Sequence, residues 1–157
     1  MDKIKELVKT FQKKKLTLSV AESCSGGYVS YLLTKVSGSS DFFKGGVIVY
    51  SLESKNKFFK IPFALLRKTQ GVSDEVASLL AKRVKGLLNS DMGASIVGFA
   101  GPKGQKVGTI YLSVSYKKTV TKKLTLKGGR DLIRKQASSA LINLILGEIK
   151  NADLPHR

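Results

Sequence analysis

The chain has 157 residues, of which 42% are hydrophobic and 25% charged, with a formal net charge of +17 and a single cysteine. That length suits one domain with a substantial core, no apolar run approaches a membrane span, and one cysteine excludes an internal disulfide, which fits a reducing cytoplasm. The charge favours phosphate-bearing partners. Its lysines are nevertheless dispersed and not interleaved with aromatics, which favours a solvated basic surface over a nucleic-acid face.

Residues 2–14 place Ile4, Leu7, Val8 and Phe11 at helical spacing, and nothing in them resembles the continuous apolar core of a secretion signal. A buried strand is expected over 16–20, then a turn, Ala21-Glu22-Ser23-Cys24-Ser25-Gly26-Gly27, then a helix over 28–36. Two readings of that turn stay open. It is either an ordinary strand-to-helix connection with Ser25 as N-cap, or a glycine-opened backbone cradle for phosphate or an oxyanion. Residues 42–50 read as a strand in which Gly45-Gly46 marks a bend or close approach. Ser51 caps a helix reaching Phe59, and Pro62 opens another short helix reaching about Lys68. Ser73 begins a long helix with Val76, Leu80, Val84 and Leu87 on one face. Strands follow over 94–100, 107–116 and 120–126, the last two as an antiparallel hairpin, and Gly128-Gly129 leads into a final helix whose tail after about 150 is expected to fray.

Helices alternating with strands, closed by a hairpin, predict a three-layer α/β/α sandwich on a mixed, mostly parallel sheet, as one domain over 1–157. Ligands on such sheets bind at the carboxyl ends of strands. Glycine- and serine-rich segments at 22–27, 50–55 and 98–102 occupy positions of that kind.

The residue inventory narrows the chemistry. The one histidine, His156, lies in a polar tail, which excludes a Ser-His-Asp triad and a closed zinc site; no metal or cofactor is expected. A hydrolase built from this chain needs a lysine, tyrosine or carboxylate as base. In Tyr50-Ser51-Leu52-Glu53-Ser54-Lys55, Ser51 and Lys55 stand one helical turn apart. A desolvated lysine loses its proton near neutral pH and activates a serine; the competing reading is a surface lysine. Cys24 is either a rival nucleophile to Ser23 or a small buried residue. Glu22 is either an acid/base group or an orienter of the turn.

These motifs match a known pattern. Glu22-Ser23-Cys24-Ser25-Gly26-Gly27 resembles the signature of the CinA C-terminal domain family. Gly38-Ser39-Ser40, Tyr50-Ser51 with Glu53 and Lys55, Gly71-Val72-Ser73, Gly98-Phe99-Ala100-Gly101-Pro102, Val107-Gly108-Thr109 and Arg130 with Arg134 follow its later blocks in order, over about residues 5–148. The resemblance implies a nicotinamide-nucleotide amidohydrolase that converts nicotinamide mononucleotide to nicotinic acid mononucleotide and ammonia. It implies an α/β/α sandwich and, because members usually associate, a homo-oligomer. Carried onto this sequence, Ser23 is the nucleophile and Lys55 the general base, with Tyr50 assisting proton transfer or orienting the amide. Glu22, Ser25, Gly26, Gly27, Ser51, Gly98, Ala100, Gly101 and Thr109 become substrate-binding candidates, with Arg130 and Arg134 for phosphate.

The sequence departs from the pattern in two places that bear on recognition. Leu52 stands where the family carries Asn, and the glycine-rich stretch after Gly-Pro is shortened to Lys103-Gly104-Gln105-Lys106. The alternative expectation is therefore a family member with an eroded pocket that binds a nucleotide or a protein without catalysis.

Overall fold

The structure is a computed structural model and describes residues 2–153; His156 and the end of the tail lie outside them. The elements run α1 (Lys3–Lys14), β1 (Leu18–Glu22), α2 (Tyr28–Thr34), β2 (Phe43–Ile48), α3 (Leu52–Phe59), α4 (Phe63–Thr69), α5 (Asp74–Leu87), β3 (Met92–Gly98), β4 (Thr109–Ser115), β5 (Thr119–Thr125) and α6 (Arg130–Asn151). No helix among the described residues is long and apolar enough to cross a membrane.

The sheet order is β2-β1-β3-β4-β5. β1 pairs in parallel with both β2 and β3, while β4 runs antiparallel to its neighbours β3 and β5. β4 alone therefore opposes the common strand direction. The expected α/β/α sandwich on a mixed, mostly parallel sheet is the observed fold.

Alternation along the central strands builds the two flanking layers. Leu18 and Val20 of β1 and Met92, Ala94 and Ile96 of β3 pack with apolar residues of α1, α2 and α6. Ala21 and Val97 face the other way, into a core made with Phe59, Leu66, Val76 and Leu80. Small residues bring α5 close to the sheet on that second face. A β-carbon at Gly93 would stand 2.1 Å from the Ala81 carbonyl oxygen, and Ser95 Oγ donates to Ala77 O at 2.6 Å.

The first strand is displaced from its expected place. It covers Leu18–Glu22, not residues 16–20. Lys15 terminates α1 in a left-handed conformation (φ 54°), and Thr17 is still engaged by Asp91, which accepts from its N–H at 2.8 Å. The strand starts only after that link, so Glu22 is its last, fully buried residue. The expected close approach at the paired glycines is present at Gly46, where a β-carbon would stand 2.1 Å from Ser30 Oγ.

Candidate active site

The carboxyl ends of β2, β1 and β3 lie side by side and deliver Tyr50, Ser23 and Gly98 to one cavity. Backbone hydrogen bonds carry the sheet past its formal ends. Val49 N donates to Glu22 O at 2.8 Å, and Ser23 N donates to Ile96 O at 3.1 Å. Ser23 is thus held by the sheet before the chain turns.

Behind the turn, the buried Glu22 carboxylate accepts four hydrogen bonds. Ser25 Oγ (2.7 Å) and Val29 N (2.9 Å) reach Oε1; Ser30 N (3.0 Å) and Ser30 Oγ (2.6 Å) reach Oε2. A helix start leaves N–H groups without partners, and here an anionic side chain from the preceding strand supplies the acceptor. The expected Ser25 cap is therefore not formed. Gly27 occupies the N-cap position (φ 101°) without a side-chain bond, and Ser25 instead donates to Glu22. Of the two readings of Glu22, its geometry is that of an orienter, facing α2 and away from the cavity lining.

The other side of the turn is held by α6. Arg134 donates from Nε to Cys24 O at 3.0 Å and from Nη2 to Ser25 O at 2.9 Å. It is occupied as a staple of the turn and takes no part in the cavity lining, contrary to its expected phosphate role.

Lys55 comes from α3, whose N-cap Ser51 accepts from Ser54 N. Its side chain is 3% exposed. Nζ lies 2.9 Å from Ser23 Oγ, 2.9 Å from Val49 O and 3.3 Å from Tyr50 O. The serine that Lys55 meets is Ser23 of a different element, not its helical neighbour Ser51. Loss of solvent around a group with no carboxylate partner disfavours the ammonium form, and burial lowers the Lys55 pKa to about 8. Cys24 is driven the opposite way, its thiol raised to about 11 mainly by burial. It remains a thiol at neutral pH and is a poor rival nucleophile.

Seven of the expected residues line the cavity: Ser23, Lys55 and Tyr50 with Gly98, Ala100, Gly101 and Arg130. Arg130 Nη2 donates to Tyr50 Oη at 2.8 Å, and Nη1 donates to Gly101 O. The Tyr50 hydroxyl is thus directed to the cavity mouth, while its carbonyl serves Lys55. Glu22, Ser25, Gly26, Gly27, Ser51 and Thr109 stand behind or beside the cavity and do not line it. Gln70, Val72, Phe99 and Lys103 do line it and were missed by sequence reasoning. Phe99 and Val72 sit inside motifs already noted, which is the signal that was available. Among the described residues, no group of three His, Cys, Asp or Glu side chains is placed to hold a metal ion.

The comparisons with known proteins agree with this architecture. The CinA C-terminal domain family matches residues 2–149. A relative from Geobacillus sp. (strain WCH70), named for competence-damage induction, is 37% identical over 153 residues, which is 94% of this chain and 37% of that protein. A CinA-like protein from Cytophaga hutchinsonii is 35% identical over 144 residues, covering 88% of this chain and 34% of its own length. The chain thus spans about a third of these relatives. A crystal structure of a competence-damaged protein (CinA) superfamily protein from Klebsiella pneumoniae superposes with a TM-score of 0.91 at 20% identity, covering 96% of this chain and 97% of that one. Another from Escherichia coli gives a TM-score of 0.89 at 22% identity, covering 92% and 87%. At that identity the structures speak for the fold. The family follows from the match over 2–149 and from the relatives: this chain belongs to the CinA C-terminal domain family.

Proposed function

We propose that this domain hydrolyses the carboxamide of a nicotinamide nucleotide, releasing ammonia, with Ser23 as nucleophile and Lys55 as general base. The observation that carries the reading is the 2.9 Å contact between Lys55 Nζ and Ser23 Oγ, combined with the two carbonyls on the same nitrogen. A neutral amine donates its two hydrogens to Val49 O and Tyr50 O, and its lone pair then faces the Ser23 hydroxyl hydrogen.

Lys55 takes the Ser23 proton as Oγ bonds to the carboxamide carbon, and the C=O electron pair moves onto oxygen. Among the described residues, the N–H groups of Cys24 and Ser25 donate to no other residue and lie next to Ser23 along the chain, as donors to that oxygen require. Collapse breaks the C–N bond, and the Lys55 ammonium protonates the departing nitrogen, giving ammonia. A water then loses a proton to Lys55 as it attacks the acyl ester. The acid is released, and the proton returns to Ser23. Arg130 and Lys103, both lining the cavity without a carboxylate beside them in that lining, provide the cationic end for the nucleotide phosphate.

The non-catalytic alternative draws on Leu52 together with the shortened loop at Lys103-Gly104-Gln105-Lys106. The Leu52 side chain packs against Gly71, where a β-carbon would stand 2.8 Å from Leu52 Cδ2, and against the second core. It takes no place in the cavity lining, so its loss of polarity does not strip a group from the pocket. The test is ammonia release from nicotinamide mononucleotide. Turnover by the wild type that falls by on the order of 10³-fold or more in both Ser23→Ala and Lys55→Ala supports the mechanism, and turnover that survives in both overturns it.

A further inference from the structure

A second cavity adjoins the first. Gln70, Phe99 and Lys103 belong to the linings of both, and Gly104, Gln105, Lys106 and Val107 complete the second. The cavities measure about 280 and 320 Å³, each near the small end of the range of roughly 300–1,000 Å³ for small-ligand sites.

The segment that forms the outer cavity has a tied backbone. Phe99 N donates to Thr109 O at 3.0 Å, Gly108 N to Phe99 O at 2.7 Å and Thr109 N to Lys106 O at 3.0 Å. Val107 fills the space over Gly101, where φ is +85° and a β-carbon would stand 2.7 Å from Val107 Cγ1. Lys106, whose carbonyl takes part in this frame, therefore extends from a tied backbone, and Lys103 lies three residues before it in the same loop. The outer lining contains both lysines and no carboxylate. Phe99 offers an aromatic face, and the amides of Gln70 and Gln105 offer both donors and acceptors.

We propose that the outer cavity is a subsite for the second nucleoside phosphate of a pyrophosphate-linked dinucleotide, so that the same Ser23 centre accepts the nicotinamide dinucleotide as well as the mononucleotide. The inference rests on the amidohydrolase reading above. Lys103, common to both linings, pairs with the bridging pyrophosphate. Lys106 pairs with its distal half, and Phe99 and the two glutamines receive the second base by stacking and edge hydrogen bonds. A cation shared between two compartments is what a ligand with a charged middle and two heterocyclic ends requires.

The test measures ammonia release from each nucleotide for the wild type, for Lys106→Glu, and for Lys9→Glu as a remote variant of equal charge change. Lys106→Glu is expected to lower kcat/KM for the dinucleotide at least tenfold while changing it less than twofold for the mononucleotide, and Lys9→Glu to change neither. Equal losses on both substrates, equal effects of the two variants, or mononucleotide turnover without dinucleotide turnover would overturn the subsite. Absence of turnover with either nucleotide would instead overturn the amidohydrolase reading. The subsite is then read from calorimetric titration with ADP-ribose, where tighter binding to wild type than to Lys106→Glu supports it and equal or absent binding rejects it.

Discussion

Ser30 Oγ donates to Glu22 Oε2 at 2.6 Å, in the space that Gly46 of the neighbouring strand leaves empty. The contact joins β1, α2 and β2 behind Ser23, the proposed nucleophile. Glu22→Gln replaces one acceptor oxygen with a donor, which then faces either the Ser30 N–H and hydroxyl or those of Val29 and Ser25. The expected outcome is a loss of about 1–3 kcal/mol in unfolding free energy and a kcat lower by about 10–100-fold, because Ser23 is no longer held against Lys55. The midpoint of the pH–rate profile is expected to stay in place, since burial is the main cause of the Lys55 shift and Glu22 is not among its causes. A displaced midpoint would make Glu22 a proton carrier.

Glu22 also marks where local reading of the sequence stops. The helices and most strands are legible because their apolar residues recur at 3.6- or 2-residue spacing. A polar residue at the end of β1 reads as the start of a turn, yet Glu22 is buried because α2 supplies its donors. Lys55 is identifiable from its motif. Its partner is not legible from local spacing, which points to Ser51; the family resemblance alone pairs it with Ser23, 32 positions away, and Nζ crosses to that residue. Arg134 reaches the Cys24 carbonyl from 110 positions away, and an arginine at a helix start carries no local sign of that contact. Phe99 and Lys103 become cavity walls only once the loop after β3 folds beside β1.

Gly71 shapes the lysine's approach. Its φ is +74°, and a β-carbon there would stand 2.8 Å from Leu52 Cδ2 and 3.5 Å from Lys55 Cδ and Cε. Gly71→Ala is expected to cost about 1–2 kcal/mol in stability and to lower kcat about tenfold by moving the Lys55 stem. Adding Leu52→Ala relieves the shorter contact, so the double variant is expected to recover activity relative to Gly71→Ala alone. Steady-state kinetics of the two variants side by side check this; no recovery would place the defect in the backbone strain alone.

Arg130 links the Tyr50 hydroxyl to the Gly101 carbonyl at the cavity mouth. Arg130→Ala is expected to raise KM for the phosphorylated substrate about 10–100-fold with little change in kcat, as expected for loss of an interaction made equally in ground and transition states. Nicotinamide riboside, which lacks the phosphate, should lose far less. Arg130→Lys keeps the charge but not the fork geometry and should restore affinity only in part. An equal loss on both substrates would assign Arg130 to orientation of Tyr50.

Burial lowers the Lys55 pKa to about 8, and in the proposed mechanism the working form is the neutral amine. Activity as kcat/KM is therefore expected to rise with pH to a plateau with a midpoint near 8 and to fall below it, as Lys55 becomes protonated. Lys55→Arg should be inactive at every pH, because guanidinium does not surrender its proton in this range.

The same shift makes a stability claim whose sign is fixed. Lys55 holds its proton less tightly in the folded chain than in the unfolded one. Between pH about 8 and the ordinary lysine value, the unfolded state binds more protons, so this group adds stability as pH rises through that interval. Below about 8 both states carry the proton, and the cost of burying the charge is constant and complete. Lys55→Met keeps an unbranched side chain of similar length and removes the ionisable group. Other lysines also titrate at high pH, and the difference between the two proteins cancels their contribution. Denaturant unfolding at pH 7 and pH 10 is expected to show the wild type gaining about 2 kcal/mol on Lys55→Met between the two conditions. Parallel pH dependence of the two proteins would mean that Lys55 keeps its ordinary affinity for the proton in the fold. The general base would then have to be found elsewhere in the cavity.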